Sequence, residues 1–78
     1  MTRLEAAHRI MGSLEQRGCY PSLYKRGRYW RAHVNQCGNF WFDHIRPDTA
    51  FRRALQSWED AGCPMDGMAA EKDAMEGL

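Results

Sequence analysis

The stretch Tyr29-Trp30-Arg31-Ala32-His33-Val34-Asn35-Gln36-Cys37-Gly38-Asn39-Phe40-Trp41-Phe42-Asp43 decides the fold. Apolar and polar side chains alternate on both sides of a glycine-bearing turn, as in a hairpin with one buried face. Loop length then fixes the register. A two-residue loop, Cys37-Gly38, pairs Ala32 with Asp43 and sends both Phe40 and Phe42 to the face opposite Trp30 and Val34. A three-residue loop, Gln36-Cys37-Gly38 with Gly38 left-handed, sets Val34 against Phe40, Ala32 against Phe42 and Arg31 against Asp43. The second register collects Trp30, Ala32, Val34, Phe40 and Phe42 on one face and leaves a cross-strand ion pair on the other. It is the register expected here.

Working outward, the meander gains a first strand before Gly27, giving approximate spans 20–25, 29–35 and 39–45. The register of this first hairpin is open. Leu23 is expected in the core, which leaves Tyr20 and Tyr24 outward. Upstream, Leu4, Ala7, Met11 and Leu14, with Ile10 beside them, recur at helical spacing over 3–17. Thr2 and Glu5 fit a capping box, and Gly18 ends the helix. Downstream, Asp48 is the expected N-cap of a second helix whose stripe is Phe51, Ala54, Leu55 and Trp58. Arg52 and Arg53 take its wet face, and Ala61-Gly62-Cys63-Pro64 stops it. The expected class is α+β: helix, three-stranded antiparallel meander, helix, in two layers. Residues 1–64 form the single domain, and 65–78 form an acidic, Met-rich tail or short helix.

At 78 residues the chain holds one domain, which excludes a multidomain enzyme. The formal net charge of +1 conceals a split. Residues 1–58 carry ten basic and four acidic side chains, a balance of +6, and residues 59–78 carry one basic and six acidic, a balance of −5. A basic body suits an anionic partner, and the acidic tail is its internal competitor. Three cysteines without a Cys-x-x-Cys pair argue against a disulfide framework. With no signal peptide and no run near the roughly 20 apolar residues of a membrane span, a soluble protein of a reducing compartment is expected.

Three His and three Cys raise the question of zinc, yet only His33 and Cys37 have ligand-like spacing, one on a strand and one at a turn tip. No metal and no cofactor is expected. Cys37 with His33 is also the one local nucleophile–base pair, in a chain too short to enclose it. Asp43 and His44 are strand neighbours and point apart. No phosphate loop, dinucleotide fingerprint or hydrolase motif occurs, so no enzyme is expected.

The open sheet face is the candidate site. It carries Tyr29, Arg31, His33, Trp41, Asp43 and Ile45, joined by Tyr20 and Tyr24, with Lys25, Arg26 and Arg28 crowding the adjacent turn. Arg interleaved with aromatic rings can stack bases and meet phosphates. Tyr, Trp and Arg are equally the residues of protein-interface hot spots. The partner-binding set is Tyr24, Lys25, Arg26, Arg28, Tyr29, Arg31, His33 and Trp41. Its occupant is open between a protein, nucleic acid and cover by the chain itself, either its C-terminal tail or a second copy.

The element order over 3–62 resembles the double-stranded-RNA-binding fold. That family reads RNA with a basic cluster at the start of its last helix, where this chain has Asp48-Thr49-Ala50-Phe51-Arg52-Arg53. The segments Tyr29–Val34, Asn39–Asp43 and Ala54-Leu55-Gln56-Ser57-Trp58 to Pro64 look like small phage- and prophage-encoded proteins, anti-CRISPR proteins among them. That resemblance implies a compact inhibitor that binds a host protein or nucleoprotein complex in the cytoplasm of a bacterium. Any DNA mimicry would then reside in residues 59–78.

Overall fold

The computed structural model describes residues 1–36 and 40–65. The expected tail beyond Met65, and the tip of the second hairpin at Cys37, Gly38 and Asn39, lie outside them. In chain order the elements are α1 (Arg3–Gln16), β1 (Ser22–Arg26), β2 (Tyr29–His33), β3 (Trp41–His44) and α2 (Pro47–Asp60). The strands form one antiparallel sheet in the order β1-β2-β3. The fold is the α+β arrangement that the alternation in 29–43 predicts.

Both helices end by the same device. At the end of α1, Gly18 takes φ +88°, its N–H donates to Glu15 O, and Cys19 N–H donates to Leu14 O. At the end of α2, Gly62 takes φ +89°, its N–H donates to Glu59 O, and Cys63 N–H donates to Trp58 O. These are Schellman closures, in which a left-handed glycine lets the chain return its last N–H groups to orphan carbonyls. Each is followed by a cysteine packed at or against the core. The start of α1 is the expected capping box. Thr2 Oγ1 accepts from Glu5 N–H at 3.1 Å, and the Glu5 carboxylate accepts from Thr2 N–H at 2.9 Å.

The start of α2 corrects the sequence reading. Arg46 occupies the N-cap position without a side-chain cap, Pro47 is the first helical residue, and Asp48 lies inside the first turn. Proline has no N–H to lose and a pre-set φ, so it suits that first position and moves the boundary one residue earlier than an Asp48 cap would. The buried Asp48 carboxylate instead faces Arg3 of α1 at 3.4 Å and Arg52 of its own helix at 3.5 Å. The first strand likewise begins at Ser22 rather than residue 20, after the N–H-less Pro21.

The core is Ala7 and Leu14 of α1, Cys19, Ala32 and Val34 from the sheet side, and Ala50, Phe51, Ala54 and Trp58 of α2. Ile10, Met11, Leu23, Phe40, Phe42 and Leu55 pack around it, while Leu4 is largely exposed at the end of its stripe. α2 lies across β2 and β3 and also against α1, so one helix carries most of the sheet's cover. Trp58 anchors it: its Nε1–H donates to Pro64 O at 2.7 Å, and the Arg17 guanidinium lies 4.6 Å from its ring centroid. Among the described residues no helix is long and apolar enough to cross a membrane.

Candidate interaction face

Strand alternation divides the sheet. Pairs Leu23–Ala32, Lys25–Trp30, Trp30–His44 and Ala32–Phe42 turn toward the helices. Pairs Tyr24–Arg31, Arg26–Tyr29, Ser22–His33, Arg31–Asp43 and His33–Trp41 turn away from them. The second hairpin has the register expected of the three-residue loop, continued by Val34 N–H donating to Phe40 O at 2.9 Å. The first hairpin closes through Gly27 and Arg28, with Gly27 at φ +59°. That is the glycine-first geometry of a two-residue turn whose twist matches the strands.

The outward face is a row of mutually contacting side chains. Arg31 grips Asp43 in a two-pronged pair, Nε to Oδ1 at 2.8 Å and the terminal nitrogen to Oδ2 at 2.9 Å. The same guanidinium lies 4.1 Å from the centroid of the Trp41 ring, a cation–π contact. His33 bridges the strands, its ring 5.9 Å from Tyr24 at an interplanar angle of 18° and 6.2 Å from Trp41 at 34°. Trp41 is the residue directly opposite His33 and Tyr24 is its diagonal neighbour, both within reach of long side chains in an antiparallel sheet. The row thus runs Tyr24, His33, Trp41, Arg31, Asp43 across all three strands.

Electrostatics follow from that row. Hydrogen bonds from Arg31 hold the Asp43 carboxyl below its ordinary value, and Asp43 in turn makes the Arg31 guanidinium harder to deprotonate. His33 is pushed below the ordinary imidazole value, first by burial and then by the neighbouring Arg31 charge. Its Nδ1 is buried without a hydrogen-bond partner.

Of the eight residues expected to bind, six share this face: Tyr24, Arg26, Tyr29, Arg31, His33 and Trp41. Arg28 is exposed in the turn. Lys25 is turned to the helix side, its ammonium 5.6 Å from the centroid of Trp30. Tyr24, Tyr29 and Trp41 remain 42–49% exposed, and Tyr20 and Ile45 flank them at 65% and 58%. Tyr20 is tethered there by Gln36 N–H donating to its carbonyl and by its own N–H donating to the buried Asn35 side chain. The Tyr24–His33 stack is the feature that sequence reading missed. The Gly27-Arg28 dipeptide between alternating runs is the signal that would have fixed its register.

Chemically the face can bind. His44 and Asp43 point to opposite sides, and His44 Nδ1 accepts from Arg46 N–H. Among the described residues no three His, Cys, Asp or Glu side chains converge to hold a metal, and no pocket opens. Comparison of the chain with protein-family models, curated proteins and solved structures finds no match.

Proposed function

We propose that the protein is a non-enzymatic binding module that docks a protein surface on its open sheet face. The supporting observation is the contiguous aromatic row, in which Trp41 and Tyr24 stay half exposed while Arg31 and His33 pack against their rings. Large rings held in one rotamer lose little entropy on binding, which is why Trp, Tyr and Arg dominate interface energetics. The occupant that fits has an apolar centre to cover Trp41, Tyr24 and Tyr29, and an acidic rim to meet Arg26 and Arg28. In keeping with the likeness to small phage proteins, that occupant is a host protein or nucleoprotein complex of the bacterial cytoplasm, which docking occludes.

Charge placement favours a protein over nucleic acid. Phosphate binding draws on several unpaired cations along one surface. Here Arg31 is committed to Asp43, and Lys25 lies on the other side of the sheet.

Two measurements test this reading. With the captured partner purified, the double variant Trp41→Ala/Arg31→Ala is expected to keep its circular dichroism spectrum and lose affinity by at least about 30-fold, the signature of a hot spot. Unchanged affinity removes the face from the function. A gel-shift series with single-stranded and duplex DNA and RNA at low and moderate salt is expected to show no complex. A shift that weakens steeply with salt replaces the protein partner by nucleic acid.

A further inference from the structure

His33 stands at the centre of the outward row, and its surroundings are unusual for an imidazole. Ser22 and Tyr24 face it from β1, Arg31 shares its strand, and Trp41 and Asp43 face it from β3. The nearest carboxylate is already engaged, both Asp43 oxygens accepting from Arg31. The buried Nδ1 has neither donor nor acceptor beside it.

A neutral imidazole fits this place. With its proton on Nε2, Nδ1 presents only a lone pair, the smaller loss for a buried atom. Protonation adds an N–H at Nδ1 with no acceptor, and a positive charge beside a guanidinium whose counter-ion is shared. Two aromatic faces attract a cation, but their centroids are about 6 Å away, at the outer limit of that attraction. The ring relieves both costs by turning out to solvent, since nothing covers this side of the sheet among the described residues.

We propose that His33 is a proton-operated latch of the docking face: neutral, its ring bridges Tyr24 and Trp41, and protonated, it leaves the stack and the aromatic row comes apart. The latch rests on the docking reading for its consequence, namely that mild acid releases the partner. Imidazole is the side chain whose titration falls in that range. Burial and the Arg31 charge both push the midpoint to the acid side of the ordinary value.

The test is made on the free chain. Imidazole and aromatic ring signals are followed by NMR from about pH 8 to about pH 5, with the His33 signal assigned by its loss in His33→Phe. The expected midpoint lies below the ordinary histidine value of about 6.5, and the Tyr24 and Trp41 ring signals move with that same midpoint. In His33→Phe, which keeps a ring in the stack and cannot titrate, those signals stay fixed. A midpoint at or above the ordinary value, or ring signals that ignore the titration, overturns the latch. So does loss of far-ultraviolet dichroism at the same midpoint, which would make the event unfolding. These outcomes leave docking untouched, because docking is decided at neutral pH by Trp41→Ala/Arg31→Ala.

Discussion

Arg31 and His33 are neighbours on one face of β2, and acid weakens that face twice, through His33 itself and through Asp43, the partner of Arg31. Asp43, held low by Arg31, supplies stability that is present above its unfolded value near 3.8 and is lost as pH falls through the depressed folded value. His33, also held low, is neutral in the fold, so its penalty appears as pH falls below the unfolded value near 6.5 and is complete below the folded one. Competing terms decide the direction for His33. An unsatisfied buried N–H costs about 1–3 kcal/mol, against about 0.5–1 kcal/mol for a cation over an aromatic ring at an exposed site. Urea midpoints measured against pH are therefore expected to decline in two separate acid windows. His33→Phe removes the upper one and leaves the lower. Arg31→Lys keeps the charge but loses the fork that binds both carboxylate oxygens, so the Asp43 midpoint in an NMR titration moves up toward its ordinary value. A flat profile between neutrality and the carboxylate range would show that the His33 site does not discriminate between protonation states.

Element boundaries show where local chemistry speaks clearly and where it competes. Glycines at positions 18 and 62 were legible as helix stops because no other residue takes φ near +90° without strain. Gly62→Ala forces a Cβ into that region with open space around it, so its cost is conformational alone, about 1–2 kcal/mol. For a domain of this size each 1 kcal/mol corresponds to about 4–8 °C in the thermal midpoint, which calorimetry reads directly. Thr2→Ala opens the capping box and costs about 1 kcal/mol, fraying α1 from its start. Asp48 was misplaced as a cap because two helix-start signals sat side by side. Proline prevailed, and the buried carboxylate meets Arg3, a residue 45 positions away that no local rule connects to it. The second hairpin was legible for the opposite reason. Only one register buried both Phe40 and Phe42, so global burial and local turn chemistry agreed. In the first hairpin Tyr24, Lys25 and Arg26 offered no such contrast, and the stack on His33 stayed hidden with the register.

The whole molecule separates its aromatic residues by task. Phe51 and Trp58 are buried between α2, α1 and the sheet, whereas Trp41, Tyr24 and Tyr29 stand on the far side of the same sheet, half exposed. Replacing a fully buried aromatic residue by Ala costs about 3–5 kcal/mol, and a core in a chain this short supplies only about 3–5 kcal/mol in all. Phe51→Ala is thus expected to be largely unfolded at 25 °C, with no cooperative transition in a thermal scan. Trp41→Ala removes a side chain that no layer covers among the described residues, so the same scan is expected to keep its cooperative transition while partner affinity falls. A homodimer closing two open faces together would couple those two outcomes, because the face would then be core. In that case Trp41→Ala lowers the thermal midpoint, and the midpoint of the unaltered chain rises with protein concentration. Sedimentation of the unaltered chain at high micromolar concentration separates the cases. A monomer, together with a concentration-independent midpoint, leaves the aromatic row available to a different protein. A dimer that dissociates in Trp41→Ala assigns the row to the chain itself.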